Sequence, residues 1–404
     1  EVMGLEESRL TIEVKNQLVE TFQRSSMKGV AIRIIKDGRL GFSTTTDITS
    51  DAIHALIDQS IKSLKFVSPS DETIIPSNLS SKEKFVEKFG IPLAEVSDDE
   101  KIKKAMMLES YALAADRRIT KVSHPRYEEL HKTLHIVNSN GISAKSSRSL
   151  VFCELKAVAT NKGLSESAYE FEFSTCIEDL NPEALSLLAA GRAIKKLDGK
   201  PVPSGNYTIV FNPRSASAMV KLIAPSFFAD NVRRGKSVIA SKKGLGVYAP
   251  IVSIIDDGLL PEGLNSFPFD GEGIPKQRTP MVLNGVVEGW LYDAARAKLD
   301  GVESTGHCSR ESLRKLPVID VNNCFLKSGK CSSGELFEGL NNALLITELM
   351  AVHTANTITG DFSLGAEGFI ISDGKIGEPV RGITIAGNVH DVFKRVQKIG
   401  SDFK

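Results

Sequence analysis

The sequence predicts an α+β fold, with an N-terminal antiparallel sheet carrying long helices and a C-terminal β-rich domain with few helices. Apolar and polar residues alternate through residues 1–45, most clearly in Arg9–Val14 and Val30–Ile34, which is typical of half-buried strands. Helical periodicity is confined to a few later stretches. A Pro/Gly-rich segment at 198–205 separates the two patterns and indicates a boundary. The predicted domains are therefore 1–198 and 199–404.

The N-terminal domain is predicted to begin with strands and two helices. Asp37–Gly38 provides the turn chemistry of a β-hairpin. A helix then begins near Ser50, which can serve as its N-cap, and carries one apolar stripe from Ile53 to Leu64. Residues 67–97 are rich in Pro, Ser and charge, so we expect an irregular connection there. Asp98–Arg118 is predicted to form the second long helix.

Strands return after this helix, with turns expected at Asn138–Gly141 and Asn161–Gly163. Pro182–Leu197 is predicted to be a helix, since proline is tolerated in the first turn, where its missing N–H has no partner in any case. The C-terminal domain is rich in glycine and strand patterns. Its predicted helices are Ser215–Ala224, Gly289–Leu299 and Val389–Ile399.

Composition limits the classes of function. Lys+Arg and Asp+Glu number 50 each, so the chain has no net charge that would favour nucleic acid, and no direct nucleic-acid partner is expected. No apolar run approaches the ~18 residues of a membrane span, so no membrane partner is expected. The acidic start of the sequence is unlike a signal peptide, and five scattered cysteines suit free thiols, so we expect a cytoplasmic protein.

Two clusters of metal-binding residue types also have plainer interpretations. His307–Cys308 with Cys324 and Cys331 could supply zinc ligands, but the spacing lacks a Cys-x₂₋₄-Cys knuckle, which favours scattered thiols. The acidic residues around Asp256–Gly258 and Asp270–Glu272 could hold a metal, but Asp-Gly and Glu-Gly steps are also ordinary turn chemistry. No Gly-x-Ser-x-Gly elbow, phosphate-binding loop or His-Glu-x-x-His motif is present.

Several blocks of sequence, in a consistent order, resemble the TldD/PmbA family, whose members are described as modulators of DNA gyrase and as peptidases. The blocks run through Gly29–Ile34, Asn212–Ser226, Asp270–Thr279 and Pro379–Asn388, so that the likeness covers nearly the whole chain. In the zinc-bearing branch of that family, the second block carries His-Glu-x-x-x-His. Here the corresponding residues, called the zinc-motif positions below, are Lys221, Leu222 and Ser226.

The residues at these positions do not suit catalytic zinc. Zinc needs about three protein ligands of His, Cys or carboxylate type and an open place for water. The ammonium of Lys221 repels a cation, Leu222 cannot move a proton, and Ser226 is a poor ligand. The chain therefore resembles the PmbA (TldE-like) branch. We expect no catalytic residue, no metal and no cofactor on this chain, with zinc on a partner subunit.

The resemblance implies a partner, a substrate and a cleft. The expected partner is a zinc-motif TldD-like paralogue in a heterodimer, although a homodimer of the isolated chain is also compatible. The expected substrate is an unfolded peptide, bound extended along a sheet edge. Alternatives left open are a stand-alone metallopeptidase with unrecognised ligands and a gyrase-binding regulator. The candidate cleft or peptide-binding residues are Asp270, Glu272, Arg278, Thr279, Trp290 and Arg310.

Overall fold

The computed structural model of the chain describes residues 1–77 and 92–403. These residues form two compact units, neither of which is one continuous stretch of sequence. The first unit comprises Glu1–Ile194, Gly258–Gln277 and Tyr292–Ile319, and the second comprises Lys195–Asp257, Arg278–Leu291 and Asp320–Lys404. The boundary predicted at 198/199 stays a prediction.

The first unit is built on a six-stranded antiparallel sheet. Its strands lie in the order β3-β2-β1-β4-β5-β6, and each is hydrogen-bonded to its neighbours in antiparallel register. The predicted turns at Asp37–Gly38, Asn138–Gly141 and Asn161–Gly163 connect successive strands, as expected. The strands are β1 (Val2–Lys15), β2 (Leu18–Lys36), β3 (Arg39–Thr45), β4 (Ile119–Val137), β5 (Ser143–Asn161) and β6 (Leu164–Ser174).

The helices of the described chain differ in length between the two halves. The long ones belong to the N-terminal half and the shorter ones follow it, so the predicted α+β fold with a β-rich C-terminal region is confirmed. The α-helices are α1 (Ser50–Ser63), α2 (Asp98–Ala115), α3 (Pro182–Lys196), α4 (Pro213–Ile223), α5 (Ala229–Arg233), α6 (Ala294–Asp300), α7 (Ser333–Phe337) and α8 (Val389–Lys394).

Helix caps follow the local sequence. Thr49, rather than the predicted Ser50, is the N-cap of α1, since its side chain accepts a hydrogen bond from the Ala52 N–H. Ser97 caps α2 in the same way through the Glu100 N–H. Of the predicted irregular connection, 67–77 and 92–97 form neither helix nor strand, and 78–91 lies outside the described residues.

Strands from both units complete the fold. They are β7 (Thr208–Phe211), β8 (Ile254–Asp257), β9 (Arg278–Leu283), β10 (Val286–Val287), β11 (Cys308–Ser309), β12 (Val318–Ile319), β13 (Cys324–Leu326), β14 (Ala343–Met350), β15 (Asp361–Ser372) and β16 (Lys375–Asn388). In the second unit, one sheet has the order β16-β15-β14-β7 and the other β10-β9-β8-β13. β14 pairs with β7 in parallel and with β15 in antiparallel register.

Two predicted helices of the C-terminal half have the wrong bounds. α6 begins at Ala294, not Gly289, because Asp293 is the N-cap and accepts from the Arg296 N–H at 2.9 Å. α8 ends at Lys394, five residues before the predicted end at Ile399. Within residues 1–77 and 92–403, no helix is both long and apolar enough to cross a bilayer.

Candidate functional site

The zinc-motif positions lie at the end of α4 and in the turn after it. Asn212 begins the helix by accepting from the Ser215 N–H at 2.9 Å, and Pro213 occupies the first turn. The helix ends at Ile223, and Pro225 lies in the 3₁₀ turn Ala224–Phe227 that follows. This geometry places the first two motif positions on an α-helix and the third beyond its end.

The side chains at these positions face different environments. Lys221 is exposed, Leu222 is 5% exposed and belongs to the buried face of α4, and Ser226 is 1% exposed. An exposed ammonium, a buried isobutyl group and a hydroxyl offer no set of zinc ligands. The residues present at the expected place therefore do not match the metal that the family resemblance implies.

The Ser226 hydroxyl makes a hydrogen bond with a histidine that the sequence does not indicate as its partner. Its Oγ lies 3.3 Å from Nε2 of His390, and Nδ1 of the same ring lies 2.9 Å from the hydroxyl of Tyr248. The Tyr248 and His390 rings are stacked at a centroid distance of 6.1 Å. His390 is 4% exposed, and burial lowers its pKa, so the imidazole stays neutral at pH 7.

A second cluster, in the first unit, brings together Asp270, Glu272 and Cys308. Among the described residues, this is the one group of at least three His, Cys, Asp or Glu side chains whose ligand atoms all lie within 4.8 Å of one another. All three are buried. Asp270 and Glu272 come from one turn, and Cys308 comes from β11.

Hydrogen bonds already occupy both carboxylates of this cluster. Oδ1 of Asp270 accepts from the backbone N–H groups of Glu272 at 2.9 Å and Ile274 at 3.0 Å, and Oδ2 accepts from Cys308 N–H at 3.1 Å. Oε2 of Glu272 accepts from the Ala294 N–H at 3.1 Å. These bonds make 270–274 a turn closed by its own first side chain, as Asp-Gly chemistry predicts.

Two buried guanidinium groups extend the cluster into an ion network. Arg33 Nη2 donates to Glu272 Oε1 at 3.0 Å, and Arg33 Nη2 and Nε donate to the Glu1 carboxylate at 2.6 and 2.9 Å. Arg310 also donates to Glu1, while its Nε has no hydrogen-bond partner among the described residues. Because cations already compensate these carboxylates, an added metal ion would meet repulsion from both arginines.

The network perturbs the acidity of its members. Burial and the neighbouring Glu272 raise the pKa of Asp270 to about 7. Burial also raises the pKa of Glu272, with the Arg33 charge opposing the rise. The Cys308 thiol has a raised pKa because it is buried beside two carboxylates, so it stays protonated at neutral pH. A thiol in that state is a weak metal ligand.

The remaining predicted cleft residues lie in the second unit. Arg278 is about half exposed, and its Nε lies 3.8 Å from the Asp257 carboxylate. Thr279 follows it on β9. Trp290 is 7% exposed and packs against Phe227 at a centroid distance of 6.2 Å; it precedes α6 rather than opening it. A peptide-binding role for all six residues stays a prediction.

All five cysteines are free thiols, as the sequence predicts. Cys308 belongs to the ion network described above, and His307 beside it donates to or accepts from Thr305 Oγ1 at 2.8 Å through Nδ1. Cys324, in the second unit, contacts the Met281 sulfur at 3.7 Å. These separate local contacts agree with the interpretation of scattered thiols.

Three domain models of one protein family match most of the chain. The model of the PmbA/TldA metallopeptidase C-terminal domain matches residues 204–404, that of the central domain matches 91–197, and that of domain 1 matches 1–64. The fold is thus of the PmbA/TldA metallopeptidase class. The chain belongs to the PmbA/TldD family, which confirms the family predicted from the sequence; its assignment to the branch without zinc stays a prediction.

Individual relatives cover almost the whole chain. Metalloprotease PmbA of Escherichia coli is 26% identical over 396 residues, which are 96% of this chain and 84% of the relative. The solved structure of a Thermotoga maritima modulator of a DNA gyrase is 27% identical, with a TM-score of 0.90 over 99% of this chain and 90% of that one. TldE of Thermococcus kodakarensis is similar in fold, with 21% identity and a TM-score of 0.88 over 99% and 91% of the two chains.

Proposed function

We propose that this chain is the PmbA/TldE-like subunit of a metallopeptidase that processes or degrades unfolded peptides, and that it acts beside a zinc-motif TldD-like paralogue. The observation that carries the proposal is the chemistry at the zinc-motif positions. They present an exposed ammonium, a buried isobutyl group and a buried hydroxyl that is bonded to an imidazole. Restoring His-Glu-x-x-x-His there would require a change at each position.

The zinc of the partner would polarise the peptide carbonyl and lower the pKa of its bound water. The part left to this chain is to hold the substrate. β16 is one of the two outer strands of its sheet among the described residues, and apart from an isolated bridge between Val380 and Lys200 it pairs on one side only. Its free edge offers backbone N–H and C=O groups to an extended peptide.

Edge pairing of this kind selects for unfolded substrates. An extended segment whose backbone groups are unpaired can add to β16 with little demand on its side chains. A folded protein has already paired these groups within its own helices and sheets. The proposed subunit would therefore favour flexible peptides without reading a strict sequence.

A stand-alone metallopeptidase is the second candidate, because Asp270, Glu272 and Cys308 form a compact group of ligand types. The balance of charges disfavours it. Arg33 and Arg310 are buried in the same network, and the thiol is held protonated. The gyrase-binding role rests on the descriptions of solved relatives, such as those of Thermotoga maritima and Bacteroides thetaiotaomicron, as modulators of DNA gyrase.

Metal content and association test the proposal together. The purified chain should contain well below one zinc ion per chain by plasma mass spectrometry after dialysis against micromolar zinc. Mixed with a zinc-motif paralogue, it should elute in size-exclusion chromatography as a complex that carries the zinc of the paralogue. Stoichiometric zinc on the isolated chain that is lost in a Cys308→Ser variant would favour the stand-alone enzyme instead. Failure to associate with such a paralogue would contradict the partner role.

A further inference from the structure

One pocket in the second unit lies outside the ion network and has no role so far. Its volume is about 530 Å³, within the range usual for pockets that bind small ligands. The residues around Lys242 form one side, and the end of β16 with the start of α8 forms the other. Val238, Ile239, Leu245 and Val247 give it an apolar wall.

The polar part of the lining has an excess of positive charge. Lys394 donates to the Asp391 carboxylate at 2.9 Å, so this pair is neutral overall. Lys242 also lines the pocket, and among residues 1–77 and 92–403 its ammonium has neither an ion-pair nor a hydrogen-bond partner. One positive charge is therefore left without a counter-ion.

His390 lines the same pocket and adds no charge to it. Both of its ring nitrogens are occupied by the hydroxyls of Ser226 and Tyr248. These two hydrogen bonds hold the ring against one wall of the pocket. Ser226, which donates or accepts one of them, is itself the third zinc-motif position. The pocket thus lies directly beside the place where the zinc-bearing branch carries a metal ligand.

We infer that this pocket binds a carboxylate attached to an apolar residue, with Lys242 as the principal cation. A lysine ammonium acts as a point charge and can neutralise a single carboxylate without a fixed geometry. The aliphatic wall would cover the apolar body of the ligand. In a peptide, such a carboxylate comes either from the C-terminus or from an acidic side chain.

The position of the pocket suits a peptide held on β16, and in this respect the inference rests on the proposed function. Asn388 is both the last residue of β16 and part of the pocket lining. A peptide running parallel to β16 would bring its C-terminal carboxylate to the pocket. An antiparallel peptide would bring its N-terminal part there, and an acidic side chain would then be the ligand.

The first test addresses the pocket alone. N-acetylleucine and N-acetylleucinamide are titrated into the full chain, with binding followed by ligand-observed NMR. The acid should bind at least about tenfold more tightly than the amide, and the preference should disappear in a Lys242→Gln/Lys394→Gln variant. Lys243→Gln is the matched control, because Lys243 is exposed like Lys242, its neighbour in the sequence, but does not line the pocket.

Three outcomes of this titration would overturn the inference: equal affinity for acid and amide, binding of neither at ~10 mM, or a preference that survives in the double variant. Salt gives a further check, since added salt should weaken the binding of the acid and leave that of the amide unchanged. Loss of the preference in Lys243→Gln would also count against the pocket.

The second test separates the two sources of the carboxylate. Three unfolded peptides of one length are compared by fluorescence anisotropy: a neutral peptide with an amidated C-terminus, the same peptide with a free C-terminus, and an amidated peptide with one Glu. Tighter binding of the second or the third peptide supports the inference and identifies the source. Equal binding of all three overturns it and leaves the proposed function standing. If no peptide binds while the acid probe does, the proposed function fails and the pocket assignment remains.

Discussion

The buried ion network of the first unit gives the sharpest prediction of stability. Arg33 is 6% exposed and is the cation shared by Glu1 and Glu272. Replacing Arg33 with Gln leaves the Glu272 carboxylate in the interior, with the Ala294 N–H as its one remaining hydrogen-bond donor among the described residues. Glu1 keeps Arg310, so the uncompensated charge is that of Glu272.

The expected cost follows from breaking a buried pair on one side. Removal of one partner of a buried ion pair costs about 3–5 kcal/mol because the other charge is left uncompensated. The cost should be smaller at low pH, since a protonated Glu272 carries no charge to leave unpaired. Arg33→Gln/Glu272→Gln should therefore be more stable than Arg33→Gln alone. A double-mutant cycle measures this coupling between Arg33 and Glu272.

Urea unfolding monitored through amide hydrogen exchange of strand β2 measures the stability differences within the first unit. A local probe is needed because the two units need not unfold together. Arg117→Gln is the control, because Arg117 is exposed on the same unit. A stability of Arg33→Gln within about 0.5 kcal/mol of the wild type would refute the reasoning. The reasoning would also be refuted if the loss of stability in Arg33→Gln/Glu272→Gln equalled the sum of the losses in the two single variants.

Further predictions concern the second unit. Burial lowers the pKa of His390 from 6.5, so the unfolded state binds a proton that the folded state does not, and stability should fall as pH drops below about 6.5, with a flatter profile in His390→Gln. Tyr248→Phe removes a partner of the same ring and should cost about 1–3 kcal/mol in urea unfolding; no loss would argue against that hydrogen bond. Gly368→Ala should lower the melting temperature, at a cost of about 1–3 kcal/mol or more, because a Cβ there would lie 1.8 Å from the Leu345 carbonyl oxygen. In the control Gly377→Ala the nearest atom to the new Cβ is 3.6 Å away, so the melting temperature should change little. Substituting His, Glu and His at the zinc-motif positions should give no zinc-dependent cleavage and cost about 3–5 kcal/mol, because the new Glu would be buried without a partner; robust cleavage by that variant would contradict this.

Local features of the fold could be predicted because local chemistry decides them. The turn at Asp37–Gly38 combines two residues with positive φ, which Asp tolerates and Gly adopts freely. The apolar spacing predicts the helix 98–118, and the observed helix differs only in its end, at Ala115. The predicted start of α6 is too early because the apolar and aromatic residues before Asp293 continue the helical pattern, although Asp293 caps the helix and sets where it begins.

Contacts between residues far apart in the chain could not be predicted. The proximity of Asp270 and Glu272 is a local property of one turn, but nothing in their spacing indicates Arg33, which is 239 residues from Glu272. His390 meets Ser226 across 164 residues, and its only signal in the sequence is its position two residues after Asn388, where a family block ends. Such pairings follow from the arrangement of strands and helices, which one sequence does not specify.

Cleavage of an unfolded peptide tests the central claim most directly. The chain alone, a zinc-motif paralogue alone and their mixture are each assayed with and without a chelator. The account predicts a gain of activity in the mixture, abolished by the chelator, and no activity of the chain alone. Chelator-sensitive cleavage by the chain alone would contradict it and would direct attention to Asp270, Glu272 and Cys308 as metal ligands.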